Sequence, residues 1–523
     1  MQIYTYVPAG YTGHVVRVEV DIRRGIPGTD IVGLAGSAVR EARERVRVAV
    51  RRAGLHYPRD RIVVNLSPAG VPKSGAGLDL AIAVAILDAS GQVSGRRSLL
   101  VLGELLLNGS IRPVPGVLAA VSEGAERGIC SFLVPAQNAA EALVLTRGQV
   151  LAVGTLLEAV RLIDKGSRAQ VLAQKGRVPE AVSAPSEEPG TPDFGQFRGA
   201  PMIVRAMEIA AAGRHNLCLV GPPGSGKTMS ARTLPSILPP LTVEESVEAT
   251  RVHSLAGVLA PGVSLLRQPP YRSPHHSSST EGMIGGGAIP RPGEVSLAHR
   301  GVLFLDEALQ FRTPVLQSLR EPMESGRVLL ARATGNYWFP SDFQLVLATN
   351  PCPCGSLGRA GRICLCSQAE IARYWRRLGG PILDRIELRV AAGTGGRPIL
   401  TGERGESSAS IRSRVLAAVG RQAARYRDRP YDRNGRVPAH EVVEACDSAV
   451  LEQLAEISGR LGLSNRAQHS VLRVARTIAD LEGSDRIGRY HLLEAVQHRR
   501  LGERTGNPAD ELPLSGEWEG GAG

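Results

Sequence analysis

Short apolar runs alternate with helical patterns along most of this chain, and the alternation divides it into regions. Residues 1–163 mix β-like runs such as HVVRVEV and RIVVNLSP with alanine-rich helical runs, so we expect an α/β domain there. Residues 198–392 place the apolar strands NLCLVG, GVLFLDE and FQLVLATN between helical segments, a pattern typical of a doubly wound parallel sheet. The predicted fold class is therefore α/β with several domains.

The pattern changes outside these two regions. Residues 164–197 lose apolar periodicity and gain proline, serine and charge, which predicts a linker. Residues 393–505 are helical by pattern, notably in NRAQHSVLRVARTIADLEG, and predict a helical domain. Residues 506–523 are polar and rich in glycine, which predicts a disordered tail.

Length and composition narrow the class of protein. A chain of 523 residues is too long for one hydrophobic core. Its longest apolar stretches, such as LAIAVAIL, fall short of a membrane span, and its amino terminus has no signal-peptide pattern. We therefore expect a cytoplasmic protein with no membrane contact and reduced cysteines. The net charge of +12 indicates either a bias towards arginine codons or a polyanionic partner such as nucleic acid, and composition alone does not choose.

The segment GPPGSGKT fits the phosphate-binding pattern G-x-x-x-x-G-K-[ST], between the apolar strand LCLV and a helical run. Glycines let backbone N–H groups face phosphate oxygens, and the following helix adds the positive end of its dipole. Lys227, one of only four lysines, is expected to reach the β- and γ-phosphates of ATP, and the Thr228 hydroxyl to bind Mg²⁺. The predicted ATP-binding residues are Gly221, Pro222, Pro223, Gly224, Ser225, Gly226, Lys227 and Thr228.

Two later strands end in polar residues that suit the same site. Asp306 and Glu307 follow the strand GVLFL, and ligands bind at the carboxyl ends of parallel strands. We expect Asp306 to hold Mg²⁺ and Glu307 to orient the attacking water, although two acids after a strand also cap helices. Asn350 ends FQLVLATN and is a candidate for positioning that water; the alternative is a turn residue before Pro351. Together with the P-loop, these residues predict ATP hydrolysis.

Four of the seven cysteines lie in NPCPCGSLGRAGRICLCS, directly after the third strand. They form two C-x-C pairs, Cys352, Cys354, Cys364 and Cys366. Four thiolates satisfy tetrahedral Zn²⁺, so we predict a structural zinc site, with buried free thiols and redox chemistry as the alternatives. The other three cysteines stand alone in apolar runs and are predicted to lie in the core. These are Cys130, Cys218 and Cys446.

A pair of histidines, His275 and His276, precedes the strand that carries the acids. No cysteine or acid stands beside them at metal-ligand spacing. A loop or interface role is therefore favoured over a metal site.

Two insertions decorate the predicted ATPase core. HSSSTEGMIGGGAIPRPGE has glycines and Arg291 at an expected loop tip. SGRVLLARATGNYWFPSD alternates like a hairpin, with Arg332, Tyr337 and Trp338 near its turn. Basic and aromatic groups suit a nucleic-acid backbone and its bases. The alternative is a solvated hairpin whose Trp338 packs in the core.

The whole chain, over about residues 1–503, resembles the magnesium-chelatase-related AAA+ ATPases, most closely the bacterial ComM (YifB) family. The resemblance rests on the blocks GLAGSAVREARERVRVAV, RIVVNLSPAGVPKSGAGLDLAIA, HNLCLVGPPGSGKTMSARTLPSILPPL, SPHHSSSTEGMIGGGAIPRPGEVSLAHRGVLFLDE, NPCPCG, GPILDRIEL and VARTIADL. It implies an AAA+ P-loop core, a helical lid, and a homo-hexameric ring with ATP at the subunit interfaces. It also implies that the two insertions point towards the central channel.

The resemblance assigns two arginines. Arg385 in ILDRIEL matches the family's arginine finger, which reaches the neighbouring subunit's γ-phosphate. Arg466 matches the sensor arginine of the helical lid. Gln310 and Gly379 depart from the family pattern, but neither position supplies a catalytic group.

The amino-terminal blocks PKSGAGLDLAIAVAIL and LGELLLNGSIRPVPGVLAAV resemble the proteolytic domain of Lon proteases, whose serine is activated by a lysine. The match places Gly77 where that serine stands and Leu118 where the lysine stands, while Lys73 and Ser74 lie off position. We therefore expect a Lon-like domain without peptidase activity, which serves ring assembly or substrate contact.

The leading functional hypothesis is an ATP-dependent hexameric helicase that promotes branch migration on single-stranded or branched DNA. Its setting would be homologous recombination during natural transformation, with recombination proteins among its partners. The second hypothesis is a chelatase-type ATPase that remodels a protein partner for metal insertion. An ATP-dependent protease is disfavoured, because Gly77 and Leu118 replace the catalytic pair.

Overall fold

The structure is a computed structural model that describes residues 1–95, 98–146, 148–164, 192–197, 200–359, 361–393, 405–444, 446–499, 501–502 and 509. Most of the predicted linker and nearly all of the predicted tail lie outside these residues. Within them the chain is a mixed α/β protein, as the strand and helix patterns predicted. None of the described helices combines the length and apolar content needed to cross a membrane.

A mixed seven-stranded sheet forms the centre of the amino-terminal region. The strands described there are β1 Gln2–Ala9, β2 Thr12–Arg23, β3 Gly28–Val32, β4 Arg61–Ser67, β5 Ser98–Val101, β6 Glu104–Leu105, β7 Ile111–Arg112, β8 Ser131–Pro135 and β9 Gln149–Val153. The sheet order is β3-β4-β2-β1-β5-β8-β9, antiparallel at β4-β2-β1 and parallel elsewhere. β6 and β7 form a small separate pair.

Helices cover this sheet: α1 Ser37–Arg52, α2 Asp79–Ala89, α3 Val117–Glu126, α4 Ala139–Ala142 and α5 Leu156–Asp164. α2 is buried from Asp79 to Leu87, which explains why its sequence has no polar face. The buried Asp79 carboxylate accepts hydrogen bonds from Arg45, with Nε at 2.8 Å, because a buried charge needs a partner.

A five-stranded parallel sheet forms the next region. The strands described from residue 200 onwards are β10 Leu217–Val220, β11 Tyr271–Arg272, β12 Gly285–Gly286, β13 Arg291–Pro292, β14 Val302–Leu305, β15 Arg327–Arg332, β16 Gly335–Pro340, β17 Gln344–Thr349 and β18 Leu388–Ala391. The sheet order is β11-β14-β17-β10-β18, and every neighbouring pair is parallel. This arrangement fits an AAA+ P-loop fold and brings all five carboxyl ends to one edge.

The helices of this region are α6 Pro201–Gly213, α7 Lys227–Thr233, α8 Val243–Ala256, α9 Thr280–Ile284, α10 Glu294–Leu297, α11 Thr313–Gln317, α12 Arg320–Ser325, α13 Gln368–Trp375 and α14 Gly380–Leu383. The structure differs from the predicted linker at its end. Phe194 and Phe197 are buried in the same hydrophobic cluster as the sheet, with ring centroids 5.3 Å apart. Two aromatic side chains therefore join residues 193–197 to the core.

The carboxy-terminal region is helical: α15 Ser408–Arg425, α16 Ala439–Glu444, α17 Ser448–Leu461, α18 Asn465–Glu482 and α19 Arg489–Arg499. Ile411, Val415, Val471 and Ile478 share one hydrophobic cluster with α6 and the parallel sheet. The helical region therefore packs directly on the α/β core.

The amino-terminal region also packs on that core, through α3 and α8. The Arg251 guanidinium lies 2.9 Å from the Glu123 carboxylate. The Ser254 hydroxyl donates to the buried Glu141 carboxylate at 2.6 Å, and burial raises the pKa of Glu141. These buried polar contacts fix one region against the other.

Candidate nucleotide-binding site

The P-loop lies between β10 and α7, as the sequence predicted. A Cβ added at Gly221 would lie 2.1 Å from the Ala392 carbonyl oxygen, so only glycine allows this close approach. Gly226 is the N-cap residue directly before α7 and has φ +82°, a backbone conformation that favours glycine. The loop therefore has the shape in which backbone N–H groups can surround phosphate oxygens.

Lys227 is buried beneath this loop. Its Nζ donates to the Gly221 carbonyl at 2.7 Å and lies 3.5 Å from Oδ1 of Asn350. Burial lowers the pKa of Lys227 to about 8, although the charges of Asp306 and Glu307 act to raise it. The structure thus brings together the lysine, the two acids and the asparagine that the sequence singled out.

The two acids follow β14 at the carboxyl edge of the sheet. The Glu307 backbone N–H donates to Oδ1 of Asp306 at 2.9 Å. Glu307 itself has φ 48° and ψ 45°, a left-handed conformation that is costly for a residue with a side chain. Its carboxylate is 54% exposed, so it is open to solvent.

These groups come from the carboxyl ends of β10, β14 and β17, which are neighbours in the sheet. A glycine cradle, a buried cation, two carboxylates and an amide therefore surround one position. The donor set suits a nucleoside triphosphate with Mg²⁺: hydroxyl and carboxylate oxygens for the metal, and N–H groups for the phosphates. Thr228 and Asp306 are the residues that would hold the metal.

Arg385 lies at the other edge of this sheet. Its carbonyl accepts from the Asn216 side chain at 2.8 Å, one residue before β10 begins. From Asn216 to Gly221 the strand rises about 16 Å, at about 3.3 Å per residue. Arg385 is thus far from the P-loop of its own chain.

Both predicted arginines meet at Glu324. Arg385 forms an ion pair with the Glu324 carboxylate and is itself buried. Nη2 of Arg466 lies 4.0 Å from the same carboxylate. In the described residues, no hydrogen bond or ion pair joins either arginine to the P-loop.

The four clustered cysteines come together in space. Their Sγ atoms all lie within 4.8 Å of one another, and the distances between Sγ atoms of Cys352, Cys354 and Cys364 are 3.4, 3.6 and 3.7 Å. Thiolates about 2.3 Å from a tetrahedral zinc ion lie about 3.8 Å apart. Backbone N–H groups of Ser356 and Leu357 lie 3.4 Å from two of the sulfurs. The residues therefore fit a zinc ion.

This cysteine segment contacts the P-loop. A Cβ added at Gly355 would lie 3.0 Å from Cγ of Pro223 and 3.7 Å from Nδ2 of Asn350. The Trp375 indole N–H donates to the Pro351 carbonyl at 3.1 Å and anchors the start of the segment. The fold of the cysteines thus supports one side of the nucleotide site.

The prediction for the isolated cysteines holds in part. Cys218 is buried in β10, and burial raises the pKa of its thiol to about 12. Cys446 is half-buried. The prediction for Cys130 is wrong: this residue is exposed, because it lies in the turn between α3 and β8.

The two insertions form hairpins that border one groove. β12 pairs with β13, and β15 pairs with β16. Gly285 of the first hairpin and Leu329 and Arg332 of the second line one groove of about 780 Å³. Arg320 and three glutamates, Glu281, Glu321 and Glu324, also line it. Arg291 and Arg332 are both exposed.

Trp338 does not lie near the hairpin turn. It pairs with Leu329 in the middle of the hairpin, while Arg332 pairs with Gly335 next to the turn. The Trp338 ring centroid is 5.0 Å from that of Tyr11 in the amino-terminal region. Tyr337 is half-buried one residue earlier. Trp338 thus joins the second hairpin to the amino-terminal region. The local strand pattern could not predict this contact.

The amino-terminal region has no serine–lysine pair at the Lon-like positions. Leu118 is fully buried, and the backbone of Gly77 lies beside Val114. Lys73 is buried and donates to the Pro68 carbonyl. In the described residues no hydrogen bond joins Lys73 to Ser74.

Two residues that contact predicted site residues were not themselves predicted. Nδ1 of His276 lies 3.8 Å from Oε2 of Glu307, and Glu324 pairs with the two arginines. The sequence did single out the pair of histidines. It could not show that His276 lies beside Glu307, because the two residues are far apart along the chain. Glu324 stands among many surface acids and carries no such signal.

Three family models for the magnesium chelatase subunit ChlI match this chain. The one described as "Magnesium chelatase, subunit ChlI" matches residues 193–395. "Subunit ChlI of Mg-chelatase" matches residues 18–138, and "Magnesium chelatase, subunit ChlI C-terminal" matches residues 405–499. The matches cover most of the described chain.

Curated relatives match over nearly the full length. The uncharacterized protein YifB of Salmonella typhimurium is 41% identical over 510 residues, which are 95% of this chain and 97% of that protein. Competence protein ComM of Haemophilus influenzae is 39% identical over 518 residues, with 95% and 97% covered. Lon protease 2 of Herpetosiphon aurantiacus is 26% identical over 133 residues, which are 24% of this chain and 16% of that protein. The likeness to Lon is therefore confined to a fragment.

Proposed function

The chain belongs to the magnesium-chelatase-related ComM (YifB) family, and on this premise we propose that it is an ATP-driven DNA motor. The family membership implies an AAA+ ATPase. The finer proposal is a homo-hexameric helicase that promotes branch migration in homologous recombination of DNA taken up by the cell. The name of the Haemophilus influenzae relative, a competence protein, supports that setting.

The groove between the two hairpins is the observation that supports a DNA substrate most strongly. Segments about 40 residues apart in sequence line the same groove, and the exposed Arg332 is one of its lining residues. Arg291 is exposed in the first hairpin but does not line the groove. The two segments lie on either side of β14 along the chain, and Asp306 and Glu307 directly follow that strand. Residues that contact a DNA phosphate backbone in this groove would therefore be close in sequence to Asp306 and Glu307, the proposed hydrolytic residues.

Hydrolysis is proposed to use the residues at the carboxyl edge of the sheet. Lys227 and the P-loop N–H groups bind and orient the phosphates, and Thr228 and Asp306 would hold Mg²⁺. When bound, Mg²⁺ neutralises charge on the phosphates. Glu307 accepts a hydrogen bond from the attacking water, and Asn350 orients that water towards the γ-phosphate. Water attacks phosphorus, the bond to the ADP oxygen breaks, and a proton of the water passes to the Glu307 carboxylate.

Arg385 is proposed to act on a neighbouring subunit's nucleotide, and Arg466 to act as the sensor arginine of the helical lid. Arg385 lies at the sheet edge opposite its own P-loop, and Arg466 shares its partner Glu324. In a ring, the Arg385 guanidinium would exchange Glu324 for the neighbour's γ-phosphate. This exchange would couple hydrolysis to the position of the adjacent subunit.

The cysteine cluster is proposed to hold one structural zinc ion. Four thiolates fill a tetrahedral shell and leave no open position for catalysis. The cysteine segment packs against Pro223 of the P-loop through Gly355. By fixing this segment, the zinc ion would support the nucleotide site.

Replacing Cys352 and Cys364 together by serine should remove zinc, from about one ion per chain to almost none. We also expect weaker ATP binding, because Gly355 would no longer be held against Pro223. Metal analysis of protein purified under reducing conditions without chelators measures the first effect. Cys130→Ser, at an exposed site outside the cluster, is the control and should keep its zinc. Wild-type protein that contains no zinc would favour free thiols instead.

Replacing Arg291 and Arg332 by alanine should weaken binding to DNA of any base sequence, because contacts to phosphates do not depend on the bases. Each lost phosphate contact lowers the slope of log affinity against log salt by about 1, so we expect a slope lower by about 2. Titrations of single-stranded and four-way junction DNA at several salt concentrations measure this slope. The ATPase rate without DNA should persist, since neither residue contacts the nucleotide site.

The matched control removes two exposed arginines elsewhere, Arg23 and Arg460, which are 72% and 76% exposed. Both double variants change the net charge equally. If the control lowers the slope as much as the hairpin variant does, the groove has no special role in DNA binding.

A chelatase-type ATPase that remodels a protein partner is the second candidate, favoured by the three chelatase family models. Such a protein would hydrolyse ATP at the same site. Its ATPase rate would respond to a protein partner and be unchanged by DNA.

A further inference from the structure

His276 lies beside Glu307 because of the strand register. β11 and β14 are parallel, with Tyr271 opposite Val302 and Arg272 opposite Leu303. The same offset, continued beyond both strands, places His276 level with Glu307. The contact follows this register: Nδ1 of His276 lies 3.8 Å from Oε2 of Glu307.

Glu307 has few other restraints on its side chain. Within the described residues, His276 is the one cationic or imidazole side chain within ion-pair distance of the Glu307 carboxylate. That carboxylate is exposed, and its backbone is in the left-handed region. A long, exposed side chain loses rotamer freedom when it is fixed, so a neighbouring imidazole that limits its positions favours the reactive geometry.

The imidazole is itself held in place. The ring of His275 lies 4.1 Å from that of His276, centroid to centroid. Nδ1 of His275 is 2.8 Å from the Ser277 hydroxyl, and Ser279 caps α9 two residues later. The His276 ring is therefore packed against the His275 ring, in a short segment with its own local hydrogen bonds at the start of the glycine insertion.

A metal site is a poorer explanation of this pair. The one group of described side chains with metal-ligand geometry is the cysteine cluster, which lies elsewhere. Nδ1 of His275 is already within hydrogen-bond distance of the Ser277 hydroxyl. The acid within ion-pair distance of His276 is Glu307. The better explanation is a polar contact between His276 and the Glu307 carboxylate, which we propose to be catalytic.

We propose that His276 is a positioning residue that holds the Glu307 carboxylate within reach of the attacking water. This inference rests on the ATP hydrolysis proposed above, though not on the DNA substrate. It predicts an effect on turnover with little effect on ATP binding, because His276 contacts Glu307 and not the P-loop.

The test is steady-state hydrolysis without DNA by His276→Ala and His276→Asn. We expect His276→Ala to lower kcat about tenfold with KM changed less than about twofold, because misplacing a catalytic group costs rate rather than binding. Asparagine keeps a polar group close to the position of Nδ1 and should restore at least half of kcat. His440→Ala, at a histidine that is 73% exposed in α16, is the control.

A double-mutant cycle decides between positioning and a general structural role. In a Glu307→Gln background, His276→Ala should have no further effect on single-turnover hydrolysis, because the carboxylate that it positions is gone. An additive tenfold loss, an unchanged kcat in the single variant, or equal loss with alanine and asparagine would overturn the inference. Wild-type protein without ATPase activity would instead overturn the proposed hydrolysis.

Discussion

Glu307→Gln should lower ATP turnover by about 100-fold or more while leaving ATP binding close to that of the wild type. Glutamine keeps the size and a hydrogen-bonding group, but it cannot accept a proton from the attacking water, a contribution typically worth about 10²–10⁴ in rate. Asp306 and Thr228 remain to hold Mg²⁺. Single-turnover hydrolysis and binding of a fluorescent ATP analogue measure the two quantities separately.

The control is Glu456→Gln, at a carboxylate that is 63% exposed in α17 and paired with Arg460. It should hydrolyse ATP at the wild-type rate. Wild-type turnover by Glu307→Gln would show that another group orients the water. Loss of ATP binding in this variant would show instead that Glu307 supports the P-loop.

Arg385→Ala should lower hydrolysis by about 10³-fold, the usual lower bound for an arginine finger, and leave ATP binding nearly intact. The reason is geometric: Arg385 lies at the amino edge of the sheet, away from its own nucleotide. Arg460→Ala, at an arginine that is 76% exposed, is the control and should be unaffected.

Mixing subunits tests whether Arg385 acts between chains. Lys227→Ala protein should bind no ATP but still present an intact Arg385. Mixed with Arg385→Ala protein, it should restore part of the activity, because some intact P-loops then face intact fingers. No recovery, despite demonstrated subunit exchange, would contradict an action between subunits.

The nucleotide site could be predicted from sequence because each part is local. A strand, a glycine loop and a lysine are consecutive in LCLVGPPGSGKT, and β14 and β17 are each followed directly by their polar residue. Once the strands are parallel neighbours, their carboxyl ends must meet. The contact between Lys227 and Asn350, 123 residues apart, follows from that rule.

Other features depend on tertiary packing and carry no local signal. Trp338 fits an exposed hairpin by pattern, but its partner Tyr11 is more than 300 residues away. By sequence, Phe194 belongs to a polar segment that predicts a linker, but in the structure its side chain is fully buried. Cys130 follows an apolar helix yet lies in an exposed turn. His276 required the register between β11 and β14, which spacing along the chain does not reveal.

The cysteine cluster is an intermediate case. Two C-x-C pairs in a loop of proline and glycine indicate a metal site by ligand type, but the sequence left free thiols and redox chemistry open. The approach of Cys352 to Cys364, 3.6 Å between sulfurs, depends on the path of the nine residues between the pairs. The structure describes residues 355–359 and 361–363 of this segment, including the contact of Gly355 with Pro223.

The most direct test of the central claim is movement of a branch point in a synthetic four-way DNA junction, with fluorophores on two arms that separate on migration. Wild-type protein with ATP and Mg²⁺ should separate the labelled arms, and junction DNA should raise its ATPase rate, since the two binding sites are coupled. Protein with a non-hydrolysable ATP analogue should bind the junction without moving it. If the wild type hydrolyses ATP at the same rate with and without junction DNA and leaves the arms joined, the DNA-motor proposal is contradicted, and the protein-remodelling ATPase becomes the better account.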